Sequence, residues 1–171
     1  MKIFISYHRK DTKYKNRILD ILEANDIDYY CVPDEMDFSG WKHQRISQFI
    51  NNELKKCEIL LCVVGEETYS RPHVDIEIHS ALKGGVSNRK GIIVVMLEKR
   101  KDNKNNINYS TFPSKLAQNE KYIIVDQFAS FHATVIDDIQ QALANKNNPR
   151  IQVTHKNSIM QLRCGKYYEL N

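Results

Sequence analysis

No stretch of this 171-residue chain approaches the run of roughly 18 apolar residues that a membrane-spanning helix needs. Its first ten residues, Met1-Lys2-Ile3-Phe4-Ile5-Ser6-Tyr7-His8-Arg9-Lys10, turn charged too early for a signal peptide. A cytoplasmic protein is therefore expected. The four cysteines, Cys31, Cys57, Cys62 and Cys164, lack paired metal-ligand spacing and read as reduced, structural thiols. Histidine pairs are missing too: His73 and His79 stand six apart, which is wrong for one helix face, so no metal site is expected. Where a nucleotide-binding loop would carry glycines after the first strand, the chain has Ser6-Tyr7-His8-Arg9-Lys10-Asp11. That absence argues against the usual dinucleotide and nucleoside-triphosphate folds and against a nicotinamide oxidoreductase. Nor do acidic residues stand at the ends of the first and third apolar runs, as a phosphoacceptor receiver domain requires; Tyr7-His8 and Gly65 occupy those places.

What is present is ordinary for a soluble globular protein, with 42% apolar and 27% charged residues, so disordered and fibrous classes are excluded. The length suits one domain, 1–148, with an extension, 149–171, expected to pack on it and to add a strand or an interaction surface. The formal charge of +4 gathers in 99–104 and in the tail from 150 to 166. Only that tail, near Tyr167 and Tyr168, joins basic to aromatic residues, so a nucleic-acid partner is not expected.

Short apolar runs at 3–5, 29–32, 58–64, 91–97 and 122–125 read as strands. The third and fourth are unbroken and belong inside a parallel sheet. Helical patterns separate them: one capped by Asp11-Thr12 with Tyr14, Ile18, Ile21 and Leu22 inward, one over 41–56, one from Pro72, and one over 130–146. A polar connection from 98 to 120 is long enough to hold short helix or mobile cover. This alternation predicts an α/β, flavodoxin-like, open and mostly parallel five-stranded sheet with helices on both faces, in the order 2-1-3-4-5.

In that order ligands bind beyond the carboxyl ends of the first and third strands. The first ends in Ser6, Tyr7 and His8; the third leads through residues 66–70 into the helix that Pro72 begins. Glu77 then lies about 7.5 Å along that helix, among Val74, Ile78 and Leu82. The loop 33–41 can cover the same crevice. Ser70, His73 and Asp75 are sequence neighbours on one turn and do not form a hydrolase relay. A lone carboxylate suits cleavage of an N-glycosidic bond whose leaving group needs no acid, such as the cationic nicotinamide of NAD, with Tyr7 and Trp41 available to stack on rings.

Phe4-Ile5-Ser6-Tyr7 followed by Asp11, and residues 65–70 leading to His73-Val74-Asp75-Ile76-Glu77-Ile78, resemble the two boxes of TIR domains. The pattern is similar above all to the TIR-like family of Thoeris antiphage-defence proteins, although Ile76 and His73 stand where aromatic residues are usual. The resemblance spans residues 1–146. It implies Glu77 as the catalytic acid and Ser6, Tyr7, His8, Asp11, Trp41 and His73 as substrate-binding residues. It also implies NAD as a substrate rather than a cofactor, and a product derived from ADP-ribose, such as a cyclic isomer, that reaches an effector protein by diffusion. A phage-derived trigger and self-association belong to the same expectation. Two alternatives stand beside it: a TIR-like interaction module without catalysis, and a nucleoside deoxyribosyltransferase-like enzyme that also uses a glutamate.

Overall fold

Alternation within each apolar run splits the core between the two faces of one sheet. The computed structural model describes residues 1–154, 160–161 and 167–168. Five strands, β1 (Lys2–Ser6), β2 (Asp28–Cys31), β3 (Ile59–Val64), β4 (Gly91–Met96) and β5 (Ile124–Gln127), pair in parallel in the order β2-β1-β3-β4-β5. Phe4, Leu60, Cys62, Val94 and Met96 face one apolar layer; Ile3, Ile5, Leu61, Val63 and Val95 face the other. Every residue of β3 and β4 is buried, which is why both read as continuous apolar runs.

The first layer is closed by α2 (His43–Lys55), α3 (Pro72–Leu82) and the single turn α5 (Ser114–Ala117). The second is closed by α1 (Thr12–Ala24) and α6 (Phe128–Asn147), while the short α4 (Gly85–Asn88) precedes β4. Gly91 lets α6 approach: a Cβ there would lie 2.8 Å from the carbonyl oxygen of Ala142. Cys57 and Cys62 are buried free thiols, and burial pushes them up to about 11 and about 12, so they behave as apolar core groups. Among the described residues no helix is long and apolar enough to cross a membrane, and no group of three or more His, Cys, Asp or Glu side chains is placed to hold a metal ion.

Several boundaries depart from the sequence expectation. Helix α2 starts at His43, because the Trp41 amide turns back onto the Phe38 carbonyl (2.9 Å). Asp11 sits at the N-cap of α1 but makes no capping hydrogen bond; it closes a 3₁₀ turn over Arg9–Asp11. Strand β5 begins two residues late, since the Tyr122 and Ile123 amides both bond to the Asn119 carbonyl in the turn after α5. The connection 98–120 holds α5 and a 3₁₀ turn at Tyr109–Thr111. Beyond α6, Ile151 and Val153 pack against the first core layer, and Thr154 exchanges hydrogen bonds with the Asn119 side chain. Two further strands, β6 (Met160–Gln161) and β7 (Tyr167–Tyr168), pair antiparallel in a sheet of their own. The remaining expectation, for 155–159, 162–166 and 169–171, falls outside the described residues.

Candidate functional site

Proline fixes where α3 begins. Arg71 is extended (φ −104°, ψ 115°) and Pro72 occupies the first turn. Glu77 follows one and a half turns later on a helix buried almost all round, and is itself only 7% exposed. The Ser6 hydroxyl, buried at the end of β1, donates to its carboxylate. Burial pushes the Glu77 carboxyl up to about 8, and the Ser6 hydrogen bond offsets only part of that effect. Cys62 lies alongside, its Sγ 4.0 Å from Ser6 Oγ.

Glu77 opens into a cleft of about 480 Å³ at the crossover between β1 and β3. Tyr7, His8 and Arg9 line it from the end of β1, residues 32–34 and 36–39 from the loop after β2, and residues 71–74 from the start of α3. The loop is tied down at Asp34. Its carboxylate accepts from the Tyr7 hydroxyl and from Lys15 Nζ (3.0 Å), while Arg9 Nη2 donates to the carbonyls of Asp34 (3.2 Å) and Met36 (3.0 Å). These contacts hold the Asp34 carboxyl below its usual range, the Tyr7 hydrogen bond most of all. Burial and the same bond raise the Tyr7 phenol. Asp37, the other acid that the loop sets against the cleft, is lowered by hydrogen bonds from Ser39. Glu77 is thus the one carboxyl lining this cleft that is pushed toward holding a proton near neutrality.

Of the residues chosen from sequence, Tyr7, His8, His73 and Glu77 line the cleft, and Ser6 reaches it through Glu77. Trp41 stands one layer back. Phe38 lies between it and His73, edge-on to both, with ring centroids at 5.2 and 5.3 Å, and the Arg45 guanidinium covers Trp41 at 4.1 Å. Phe38 therefore presents the aromatic surface expected of Trp41. Asp11 also lies outside the cleft. Its carboxylate is packed on Gly65, where a Cβ would come within 2.6 Å of Oδ2, and faces Lys99 at 3.6 Å. Sequence reasoning missed Phe38, Asp34, Arg9 and Arg71. Asp34 and Phe38 sit in the loop already marked as cover, so that loop was the available signal.

A second cavity of about 560 Å³ lies beyond β3 and β4, lined by Glu66, residues 100–103, Asn106, Asn108 and Thr111. Its buried Arg100 is consumed by Asp102, by the carbonyls of Gly65 and Thr111 and by the Thr111 hydroxyl. The arginine of this cavity therefore holds a loop together, while the crossover cleft holds the perturbed acid.

The family model of the Thoeris protein ThsB, TIR-like domain, matches residues 4–102. Among solved structures, the TIR domains in the activated Roq1 resistosome directly recognizing the pathogen effector XopQ are similar at 13% identity. That match covers 85% of this chain and 83% of that one, with a TM-score of 0.45. No curated protein matches the sequence. The family match spans β1 through β4, and with it both walls of the cleft and Glu77, so this chain belongs to the family of Thoeris ThsB TIR-like domains.

Proposed function

We propose that this protein cleaves the nicotinamide N-glycosidic bond of NAD and converts the remainder into an ADP-ribose-derived signal, a cyclic isomer in the form favoured here. The signal would activate a separate effector in antiphage defence. The observation that carries the reading is the buried Glu77 carboxyl, held by Ser6 at the floor of the crossover cleft, with its proton affinity raised to about 8.

The chemistry follows from that state. In the free protein near pH 7, burial favours the protonated Glu77 side chain. A pyridinium cation entering beside it favours the carboxylate, so binding expels that proton to solvent. The ionised group then faces the ribose carbon on which positive charge develops as the bond to nitrogen breaks. Nicotinamide departs neutral and needs no acid, which agrees with a cleft whose other carboxyls, Asp34 and Asp37, are held ionised. Phe38 and His73 offer the flat surface for a ring.

The test follows nicotinamide release from NAD by mass spectrometry, using purified protein and lysates of phage-infected cells that express it. Glu77→Gln keeps the shape of the acid and should lower turnover by about a hundredfold or more. Equal turnover by the two proteins would remove Glu77 from the chemistry.

A further inference from the structure

Two guanidinium groups face the cleft from separate segments, Arg9 after β1 and Arg71 before α3, and bond cleavage as described gives neither a task. Arg9 spends Nη2 on the loop carbonyls of Asp34 and Met36. Arg71 Nη2 pairs with Glu67, which also takes Lys10 Nζ at 2.9 Å, so the Arg71 side chain is braced from behind. Its Nε is buried and, among the described residues, has no hydrogen-bond partner. A buried guanidinium N–H without an acceptor is costly and suits a site that an anion completes. The adjoining turn of α3 has the same character: no side chain among the described residues caps it, and an amide in the first turn, such as that of Val74, has no acceptor within the helix. The acids on the opposite wall do not compete, since Asp34 is engaged by Tyr7 and Lys15, and Asp37 by Ser39.

Spacing selects the anion. Arg71 precedes Glu77 by six residues, about 9 Å along a helix rising 1.5 Å per residue. With the ribose carbon at Glu77, the sugar and its 5′ carbon reach toward the start of α3, where the first phosphoryl group would stand. A second phosphoryl group meets Arg9 on the facing wall. We infer that Arg71, with Arg9 across the cleft, holds the diphosphate bridge of the substrate and so selects a dinucleotide over a nucleoside. This rests on the NAD reading for its substrate, but its test does not depend on turnover.

The full-length Glu77→Gln protein is titrated with ADP-ribose by calorimetry at two salt concentrations. ADP-ribose should bind, and Arg71→Ala added to Glu77→Gln should weaken it about tenfold or more. Arg71→Lys should recover part of that loss, because it returns the charge but not the fork. Salt should weaken binding to the Glu77→Gln parent more than to the Arg71→Ala double variant. Arg9→Gln provides the second arm and should weaken ADP-ribose in the same direction. Affinity unchanged within twofold in both arginine variants, or no binding of ADP-ribose to the Glu77→Gln parent, would overturn the inference. A failure of the NAD reading registers elsewhere, as nicotinamide release that ignores Glu77.

Discussion

If Glu77 carries the proposed chemistry, it pulls stability and function in opposite directions, and pH separates the two. Its folded-state proton affinity is raised from 4.5 to about 8 by burial, so between those values the native state holds more protons than the unfolded chain. A group of this kind gives its full stability below the unfolded value and loses it as pH rises through the folded one. Glu77→Gln, which resembles the protonated acid, should leave stability nearly unchanged at pH 5. At pH 8.5 it should stabilise the protein by about 2–4 kcal/mol. Urea unfolding at the two pH values reads the difference directly, and an equal effect at both would show that the acid is not desolvated. Activity should run the other way, with kcat/KM for NAD rising toward pH 8 as the free protein gains the carboxylate. At this scale sequence was informative about Glu77, since Pro72 and the apolar positions around it fix the helix. It was uninformative about Phe38 against Trp41. Which of two aromatic residues in one loop turns inward is set by a backbone turn, here the Trp41 amide on the Phe38 carbonyl, that composition does not record.

Helix α3 is anchored on its other side by an ion pair almost without solvent. Asp75 Oδ2 meets Lys115 Nζ of α5 at 2.5 Å, with the side chains 6% and 1% exposed. Burial raises the Asp75 carboxyl despite the lysine, so desolvation outweighs the attraction that Lys115 supplies. Removing one partner is then the damaging change. Lys115→Met should cost about 3–5 kcal/mol in unfolding free energy, more at pH 8 than at pH 5, and adding Asp75→Asn should recover much of it. A double-mutant cycle measures the coupling, and additive single effects would contradict it. The same pair explains what was hard to read in the chain. Lys115 and Asp75 look like surface charges in any periodicity plot, so α5 was hidden inside a polar connection. Strands β1, β3 and β4 were plain because both their faces are covered. Strand β5 ends in Asp126-Gln127, whose polar side chains broke the apolar run; Asp126 is buried only because Lys104, Ser130 and Thr134 satisfy it.

Across the whole molecule, strand order was readable because alternating strands and helices allow few right-handed arrangements, and the crossover cleft follows from that order. How the chain closes after α6 was not readable, because it depends on Arg89, one basic residue in a polar stretch. Arg89 is 2% exposed and donates to four carbonyls, those of Asn145, Lys146, Asn148 and Ile151, while its guanidinium lies 4.9 Å from the Tyr122 ring centroid. It thereby caps the end of α6 and holds the following residues against α4 and the turn before β5. The last carbonyls of a helix need partners, and a guanidinium supplies several donors from one side chain. Arg89→Ala leaves these carbonyls without them and opens a gap beside Tyr122. It should lower stability by about 3–5 kcal/mol, and Arg89→Lys should recover only a minor part, since an ammonium cannot span four acceptors spread over seven residues. Hydrogen exchange distinguishes a local clasp from a global one. If Arg89 closes only the chain end, amides at 145–154 lose protection at once, while those of β3 and β4 follow the fall in global stability and no more. Uniform loss across the sheet, or unchanged protection at 145–154, would show that α6 is held by its apolar face alone.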